Sequence, residues 1–248
     1  MEQQFIMETA TEDEVKDSEG ESTMNKNIKE DIERMGEFFN KRADGYEEHM
    51  KETVEEFEKY YKAISHPIRK TEDKINILDL GCGTGLELEG IFSKVPNAQI
   101  TGIDMSEEMI KKLKEKYENK LDNIKIIMDS YLTLPFENKN YDYVVACMTM
   151  HHFLKEEKIE LYKKIREALK EGGKYIEGDY MVSKENEIEY LERYHEQINS
   201  LTEEERGLYH IDIPFAIETQ KEILIEAGFK NIEIIWQVEN KIIMVAEA

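Results

Sequence analysis

The stretch ILDLGCGTG, residues Ile77 to Gly85, passes from an apolar run into a glycine-rich turn. ILDL is typical of a buried strand, and a helical pattern begins at Leu86. Glycines at positions 81, 83 and 85 let the backbone turn tightly and let a ligand approach the main chain closely. Their G-x-G-x-G spacing differs from the G-x-G-x-x-G of dinucleotide-binding folds. The stretch therefore predicts a ligand site immediately after the first strand.

On the C-terminal side of this stretch, short apolar runs alternate with amphipathic helical patterns. Strands are predicted at 99–103, 124–129, 141–148 and 174–181, a spacing typical of right-handed βαβ units in a parallel sheet. The runs 231–238 and 240–248 meet at Glu239-Asn240, and such a short connection requires an antiparallel hairpin. Ser106 is a predicted helix N-cap, and Gly172-Gly173 is predicted to end the helix before the fifth strand. The predicted fold class is α/β, a Rossmann-like seven-stranded sheet, mostly parallel with a C-terminal antiparallel hairpin and helices on both faces.

Three regions follow from the pattern along the chain. Residues 1–25 are acidic and poor in large apolar residues, so a disordered tail is predicted. Residues 26–70 predict a cap of two amphipathic helices, separated at Asp44-Gly45 and ended by His66-Pro67. Residues 71–248 are predicted to form the main, ligand-binding domain. Within it, 183–215 interrupts the strand and helix rhythm with helical patterns at about 185–199 and 202–209, and is predicted to be a helical lid insertion.

The charge of the chain excludes several classes of partner. Lys and Arg total 33 and Asp and Glu total 55, a net charge of −22. This argues against a nucleic-acid backbone or an anionic membrane as a partner, because both are bound by clustered cations. The first residues lack the pattern of a secretory signal, and two cysteines do not make a disulfide framework. A reduced, cytoplasmic protein is predicted, and the oligomeric state is left open.

Three carboxylates lie at or beside the ends of the first three predicted strands. Asp79 precedes the glycines, Asp104 follows Gly85 by nineteen residues, and Asp129 ends the third strand. Ligands in open α/β sheets bind at the carboxyl ends of the strands. A carboxylate at Asp104 is placed to accept the hydroxyls of a ribose, and one at Asp129 could accept an exocyclic amine.

With these motifs, residues 40–248 resemble the class I S-adenosylmethionine-dependent methyltransferases of the small-molecule type. The resemblance implies S-adenosyl-L-methionine as cofactor, held along its methionine part by the glycine loop and Asp79, at its ribose by Asp104, and at its adenine by Asp129, Ser130 and Tyr131. It also implies that Met148 lies near the sulfonium and that Tyr46 closes over the cofactor. The predicted cofactor-binding residues are Tyr46, Asp79, Gly81, Cys82, Gly83, Gly85, Asp104, Met105, Asp129, Ser130 and Met148.

The resemblance places acceptor-facing residues after the fourth strand, in MTMHH, residues 148–152. His151 and His152 are the predicted catalytic residues, since a neutral histidine can remove a proton during transfer; packing against the next helix is the alternative. The predicted substrate-binding residues, with a packing role as their alternative, are Tyr180, Tyr194, His195, Tyr209 and His210. His151, His152, Asp179, His195 and His210 could also gather around a metal, but no tight ligand spacing supports this, so no metal site is predicted.

The predicted function is methyl transfer to a small organic acceptor. A dinucleotide-dependent oxidoreductase is disfavoured by the glycine spacing and by the terminal hairpin. A cofactor-binding protein without turnover remains an alternative. So does formation of carboxy-S-adenosylmethionine on the same fold, which is ranked lower because no arginine in the motifs is placed to hold an acidic second substrate.

Overall fold

The computed structural model describes residues 33–199, 201–202 and 209–248. The predicted tail, residues 1–25, and the start of the first predicted helix lie outside these ranges. Within them, one seven-stranded sheet has the order β3-β2-β1-β4-β5-β7-β6. All neighbours from β3 to β5 are parallel, whereas β7 is antiparallel to both β5 and β6. The strands are β1 Asn76–Leu80, β2 Gln99–Asp104, β3 Ile124–Met128, β4 Tyr141–Cys147, β5 Leu169–Tyr180, β6 Lys230–Val238 and β7 Lys241–Glu247.

Helices cover both faces of the sheet and confirm the predicted fold class. Alternate residues of β4 point to opposite faces, as strand geometry requires. Val144 and Ala146 pack in one core with α6 and α8, and Val145 and Cys147 pack in the other with α3, α4 and α5. The helices are α1 Met35–Arg42, α2 Tyr46–Thr53, α3 Phe57–Ile64, α4 Leu88–Lys94, α5 Glu107–Lys116, α6 Lys155–Ala168, α7 Lys184–Asn199 and α8 Ile217–Glu226.

The helical region before β1 differs from the prediction in one respect. A 3-10 turn at Ala43–Gly45 separates α1 from α2, as the Asp44-Gly45 break predicted. The second predicted helix, however, is two helices, because the chain leaves helical geometry at Val54 and Glu56 takes a left-handed φ of 54°. Tyr60 and Ile64 of α3 are fully buried. The chain changes direction at this turn, and α3 then packs on the sheet.

Two local predictions have opposite outcomes. The Ser106 side chain accepts a hydrogen bond from the backbone N–H of Met109, so the predicted N-cap is confirmed. The predicted helix end at Gly172-Gly173 is wrong, because α6 ends at Ala168 and β5 begins at the next residue. The pairing of β5 with β4 shifts register between Tyr141 and Tyr143. The two glycines therefore lie in the irregular first part of a strand.

The predicted lid insertion contains α7, and the predicted second helix at 202–209 lies mostly outside the described residues. Backbone bridges join Val182 to Ala216 and Arg34 to Tyr209. The insertion is therefore attached both to the end of β5 and to the segment before α1. Among the described residues, no helix is both long enough and apolar enough to cross a membrane.

Candidate functional site

The glycine loop follows β1 and is held against the end of β2. The backbone N–H groups of Gly81 and Cys82 donate to the Ile103 carbonyl at 2.8 and 3.2 Å. Gly81 has a φ of 69°, and a Cβ there would lie 2.5 Å from Thr149 Oγ1. Both the positive φ and this close approach require glycine. The loop thus brings the carboxyl ends of β1, β2 and β4 together.

Asp104, at the end of β2, fixes the shape of this loop. Its Oδ2 accepts a hydrogen bond from Gly83 N at 2.8 Å, and its Oδ1 accepts one from Ser106 N at 2.8 Å. Burial raises the pKa of Asp104, and the backbone hydrogen bonds oppose that rise. Each carboxylate oxygen has a second lone pair. Asp104 can therefore hold the loop and still accept hydroxyl donors from a ligand.

Behind the loop lies a buried group of polar atoms without partners. Within the described ranges, both carboxylate oxygens of Asp79, one of Glu87 and the Thr84 hydroxyl are buried and accept or donate no hydrogen bond. Burial, and then the neighbouring Glu87 carboxyl, raises the pKa of Asp79 well above its usual range. Unpaired buried carboxyls are costly. The pair is suited to a cationic ligand group that would neutralise it.

The first cavity opens beside the glycine loop and is lined by residues from α1, the strand ends and α5. Of the predicted cofactor-binding residues, Asp79, Cys82, Gly85 and Asp129 are outside its lining; Asp79 and Cys82 are buried, and Asp129 is exposed. The predicted residues that line this cavity are Tyr46, Gly81, Gly83, Asp104, Met105, Ser130, Tyr131 and Met148.

A second, larger cavity meets the first at a common wall of Phe39, Tyr46 and Met148. Met148 follows β4 with a left-handed φ of 51°, and its N–H donates to the Gly178 carbonyl at 2.7 Å. This conformation is uncommon for a residue with a side chain. Other residues that line the second cavity are Phe38, Lys41, Arg42, His49, His151, His152, Tyr180, Tyr190, His210, Asp212 and Lys241.

His151, in the 3-10 turn after β4, is held by a buried ion pair. Its Nδ1 lies 2.6 Å from Asp179 Oδ1 at the end of β5. Burial lowers the pKa of His151, but the Asp179 carboxylate outweighs burial and the net shift is upward. Burial likewise opposes the charge of Asp179, but His151 makes the net pKa shift downward. The histidine ring therefore has a fixed orientation, with Nδ1 toward Asp179.

His152 and His210 lie beside this pair. Burial, and then His151, lowers the pKa of His152, while burial and then His152 lower the pKa of His210 to about 4. The ring centroids of these two histidines are 4.7 Å apart. Asp212 Oδ1 lies 3.3 Å from His152 Nδ1 and 3.8 Å from His151 Nε2. At neutral pH the cavity therefore contains two neutral imidazoles beside a carboxylate.

The structure separates the predicted substrate-binding residues into two groups. Tyr180 and His210 line the second cavity. Tyr194 packs against the core, His195 is exposed, and Tyr209 packs with Arg34, so these three are outside the lining. The sequence interpretation did not find Thr84, Glu87, Thr149 or Asp212. For Asp212 the available signal was the H-x-D spacing from His210.

Comparison with known proteins decides the family. Residues 77–173 match the family model described as a methyltransferase domain. The chain is 30% identical over 173 residues to the carboxy-S-adenosyl-L-methionine synthase of Campylobacter fetus, covering 66% of this chain and 73% of that protein. It is also 34% identical over 106 residues to malonyl-[acyl-carrier protein] O-methyltransferase 2 of Ilyobacter polytropus, covering 43% of this chain and 39% of that protein.

The chain belongs to the class I S-adenosylmethionine-dependent methyltransferase family. Among solved structures, a putative O-methyltransferase of Nostoc punctiforme has a TM-score of 0.63 at 19% identity, over 85% of this chain. This chain spans 60% of the length of that structure. At this identity the likeness concerns the fold, and it agrees with the mixed sheet described above.

S-adenosylmethionine is the cofactor or substrate of this methyltransferase-family protein, as predicted. The residues present suit its chemistry. The methionine part carries an ammonium group, and the buried Asp79 and Glu87 carboxyls, whose pKa values burial raises, could give up a proton to pair with it. The cofactor's ribose offers two hydroxyls, and Asp104 retains free acceptor positions.

Proposed function

We propose that this family member transfers a methyl group from S-adenosylmethionine to a small organic acceptor bound in the second cavity. The observation that carries the proposal is the common wall of Phe39, Tyr46 and Met148 between the two cavities. A donor in one cavity and an acceptor in the other would meet at this wall. Methyl transfer requires such alignment and the exclusion of water more than it requires acid–base chemistry.

The first cavity would hold the cofactor through residues at three strand ends. Asp104 would face the ribose, and Ser130 and Tyr131 the adenine. The Asp79 and Glu87 carboxyls, buried behind the glycine loop and outside the cavity lining, would attract the ammonium group. Tyr131 donates to or accepts from Thr149 at 2.6 Å, which fixes its hydroxyl beside the glycine loop. When bound, the cofactor supplies an electrophilic methyl group on a positively charged sulfur.

The second cavity would bind the acceptor between the helices before β1 and the predicted lid. In the transfer, a lone pair of the acceptor forms the new bond to the methyl carbon, and the carbon–sulfur electron pair stays on sulfur. The acceptor's proton must leave. His152, whose pKa is lowered by burial and by His151, is neutral and can take it. His151, held by Asp179, would position the acceptor rather than act as the base.

The test is formation of S-adenosylhomocysteine from S-adenosylmethionine with fractionated small metabolites as acceptors. We expect acceptor-dependent turnover, and a loss of at least tenfold in kcat for His152→Ala with an unchanged Kd for S-adenosylmethionine. His66→Gln, an exposed histidine after α3, is the matched control. Cofactor binding without turnover in any fraction would favour the alternative of a non-catalytic binding protein.

One observation favours carboxy-S-adenosylmethionine formation as a second candidate. Three cations, Lys41, Arg42 and Lys241, line the second cavity and could hold an acidic second substrate, and a relative is named for this activity. Each cation already has an acidic partner, Glu33 for the first two and Glu55 for the third. We therefore place this candidate second. Mass spectrometry separates the two, since a methyltransferase releases S-adenosylhomocysteine whereas a synthase yields a carboxylated S-adenosylmethionine.

A further inference from the structure

We propose that His151, His152 and Asp212 form a binding site for one divalent transition-metal ion in the wall of the second cavity. One donor atom from each residue lies within 4.8 Å of the other two. Ligands of a tetrahedral zinc ion, each about 2.1 Å from the metal, are roughly 3.4 Å apart. His152 Nδ1 and Asp212 Oδ1 are 3.3 Å apart, and His151 Nε2 is 3.8 Å from the same oxygen.

The orientation of His151 is the one that metal sites use. A metal-bound histidine donates its other ring N–H to a carboxylate or a carbonyl, which fixes the ring and makes the ligating nitrogen more basic. His151 Nδ1 lies 2.6 Å from Asp179 Oδ1, so Nε2 of the same ring is on the side of Asp212. Asp179 Oδ2 is itself fixed by the backbone N–H groups of Met150 and His151. Asp179 therefore fixes the orientation of His151 and is itself held in place by the backbone.

The donor set is also the right type. Two imidazoles and one carboxylate suit zinc, iron and other first-row divalent ions, and three protein ligands leave positions for water or substrate. His151 and His152 are 7% and 6% exposed. The His152 ring lies against those of His151 and His210. The group is thus enclosed on the protein side and borders the cavity.

A plain ion pair explains the group less well. Asp212 Oδ1 is buried and, in the part of the chain that the structure describes, accepts no hydrogen bond despite its 3.3 Å approach to His152. The neighbouring Tyr180 hydroxyl and His152 Nε2 are also buried and unpaired among the described residues. A hydrogen-bonded cluster would satisfy these atoms. His152 Nδ1 also lies 3.3 Å from the Ile211 carbonyl, a long contact that a bound ion would replace.

The role of the ion rests on the proposed function, whereas the site itself does not. An ion at this place would border the acceptor cavity and could coordinate an oxygen, nitrogen or sulfur of the acceptor. Coordination favours the deprotonated form of such a group, and with the ion bound His152 would act as a ligand and not as the proton acceptor. The acceptor class would then be a molecule with a metal-binding heteroatom, such as a hydroxyl, a carboxylate or a thiol.

The experiment measures metal binding directly in the full chain, tag-free and stripped with a chelator. Calorimetric titration with Zn²⁺ should give one site per chain. Titration with Co²⁺ should give visible absorption bands of nitrogen and oxygen ligation. Asp212→Asn and His152→Gln should each weaken Zn²⁺ binding by at least 100-fold, and His66→Gln should bind as the parent does. Circular dichroism and S-adenosylmethionine affinity, measured on the same samples, verify that each variant is folded.

A parent protein that binds no Zn²⁺ above background would overturn the metal site, and so would equal binding by Asp212→Asn and His66→Gln. Neither result bears on methyl transfer, which is read from S-adenosylhomocysteine formation. Conversely, one Zn²⁺ per chain in a protein that methylates nothing would support the site and refute the proposed function.

Discussion

His151 Nδ1 lies 2.6 Å from Asp179 Oδ1, with both side chains buried. The other oxygen of Asp179 accepts the backbone N–H groups of Met150 and His151 at 2.8 and 3.0 Å. A carboxylate at the end of β5 therefore holds two backbone N–H groups and one ring of the turn that follows β4. That turn connects the common wall at Met148 with the histidines of the second cavity.

Asp179→Asn should lower the free energy of unfolding by about 1–3 kcal/mol, since it weakens hydrogen bonds to a charged group and leaves His151 without its counter-charge. The measurement is urea unfolding at pH 7. Glu171→Gln, an exposed carboxylate on the same strand, is the control and should change stability by less than about 0.5 kcal/mol. Equal stabilities of the two variants would contradict the structural role of the pair.

Asp104→Ala should weaken S-adenosylmethionine binding by about 1.5–3 kcal/mol, because it removes an acceptor for the ribose and the anchor of Gly83 and Ser106. Calorimetry gives the affinity. Asp129→Ala is the matched comparison, since this carboxylate is exposed and outside the cavity lining. We expect a smaller loss there. A larger loss at Asp129 than at Asp104 would contradict the assignment of the ribose to Asp104.

Binding of S-adenosylmethionine should release protons at pH values below the raised pKa of Asp79. Burial raises the pKa of Asp79, so the free protein holds a proton there that the ammonium group would displace. Affinity should therefore fall as pH falls through that raised pKa and level off above it. Calorimetry in buffers of different ionisation enthalpy counts the protons. Asp79→Asn should bind more weakly and abolish much of this release, whereas Asp129→Asn should retain it.

Cofactor binding should lower hydrogen exchange in residues 35–53 and 209–216, because ligands order elements of low stability that close over them. The two segments already touch. His210 N–H donates to the Glu33 carbonyl at 2.9 Å, and the Phe38 and His210 rings stack. Phe38→Ala should raise exchange near His210 in the free protein. Protection confined to the glycine loop would argue against a lid.

The sequence predicted the fold from local signals. Strand and helix periodicity, the glycine loop, the Ser106 cap and the tight turn at Glu239-Asn240 each depend on a few consecutive residues, and each is present in the structure. The helix end was misplaced by four residues because Gly172-Gly173 is a strong local signal. The pairing of β5 with β4 prevails over this glycine signal, and the strand begins at Leu169. Likewise, apolar residues recur at helical spacing from Tyr46 to Ile64, so the sequence pattern gave no sign of the left-handed turn at Glu56.

The candidate site was predicted less completely, because it depends on residues far apart in the chain. Asp104 and Met148 follow from their positions at strand ends. Glu87 and Asp212 do not, since periodicity carries no information on which side chains meet across the sheet edge. Asp212 reaches the histidines only because the last part of the predicted lid passes beside the turn after β4, where Ile213 N donates to the His151 carbonyl at 2.6 Å.

The sheet order has a consequence for synthesis of the chain on the ribosome. Strand β7 pairs with β5, although β6 is made before it. The edge of β5 that carries Asp179 opposite Ile242 therefore lacks its neighbour until residues 241–247 have emerged. Until then, that nascent edge is open to pairing with another chain, a known route to aggregation. The histidine cluster should consequently reach its final geometry only after β7 has paired with β5.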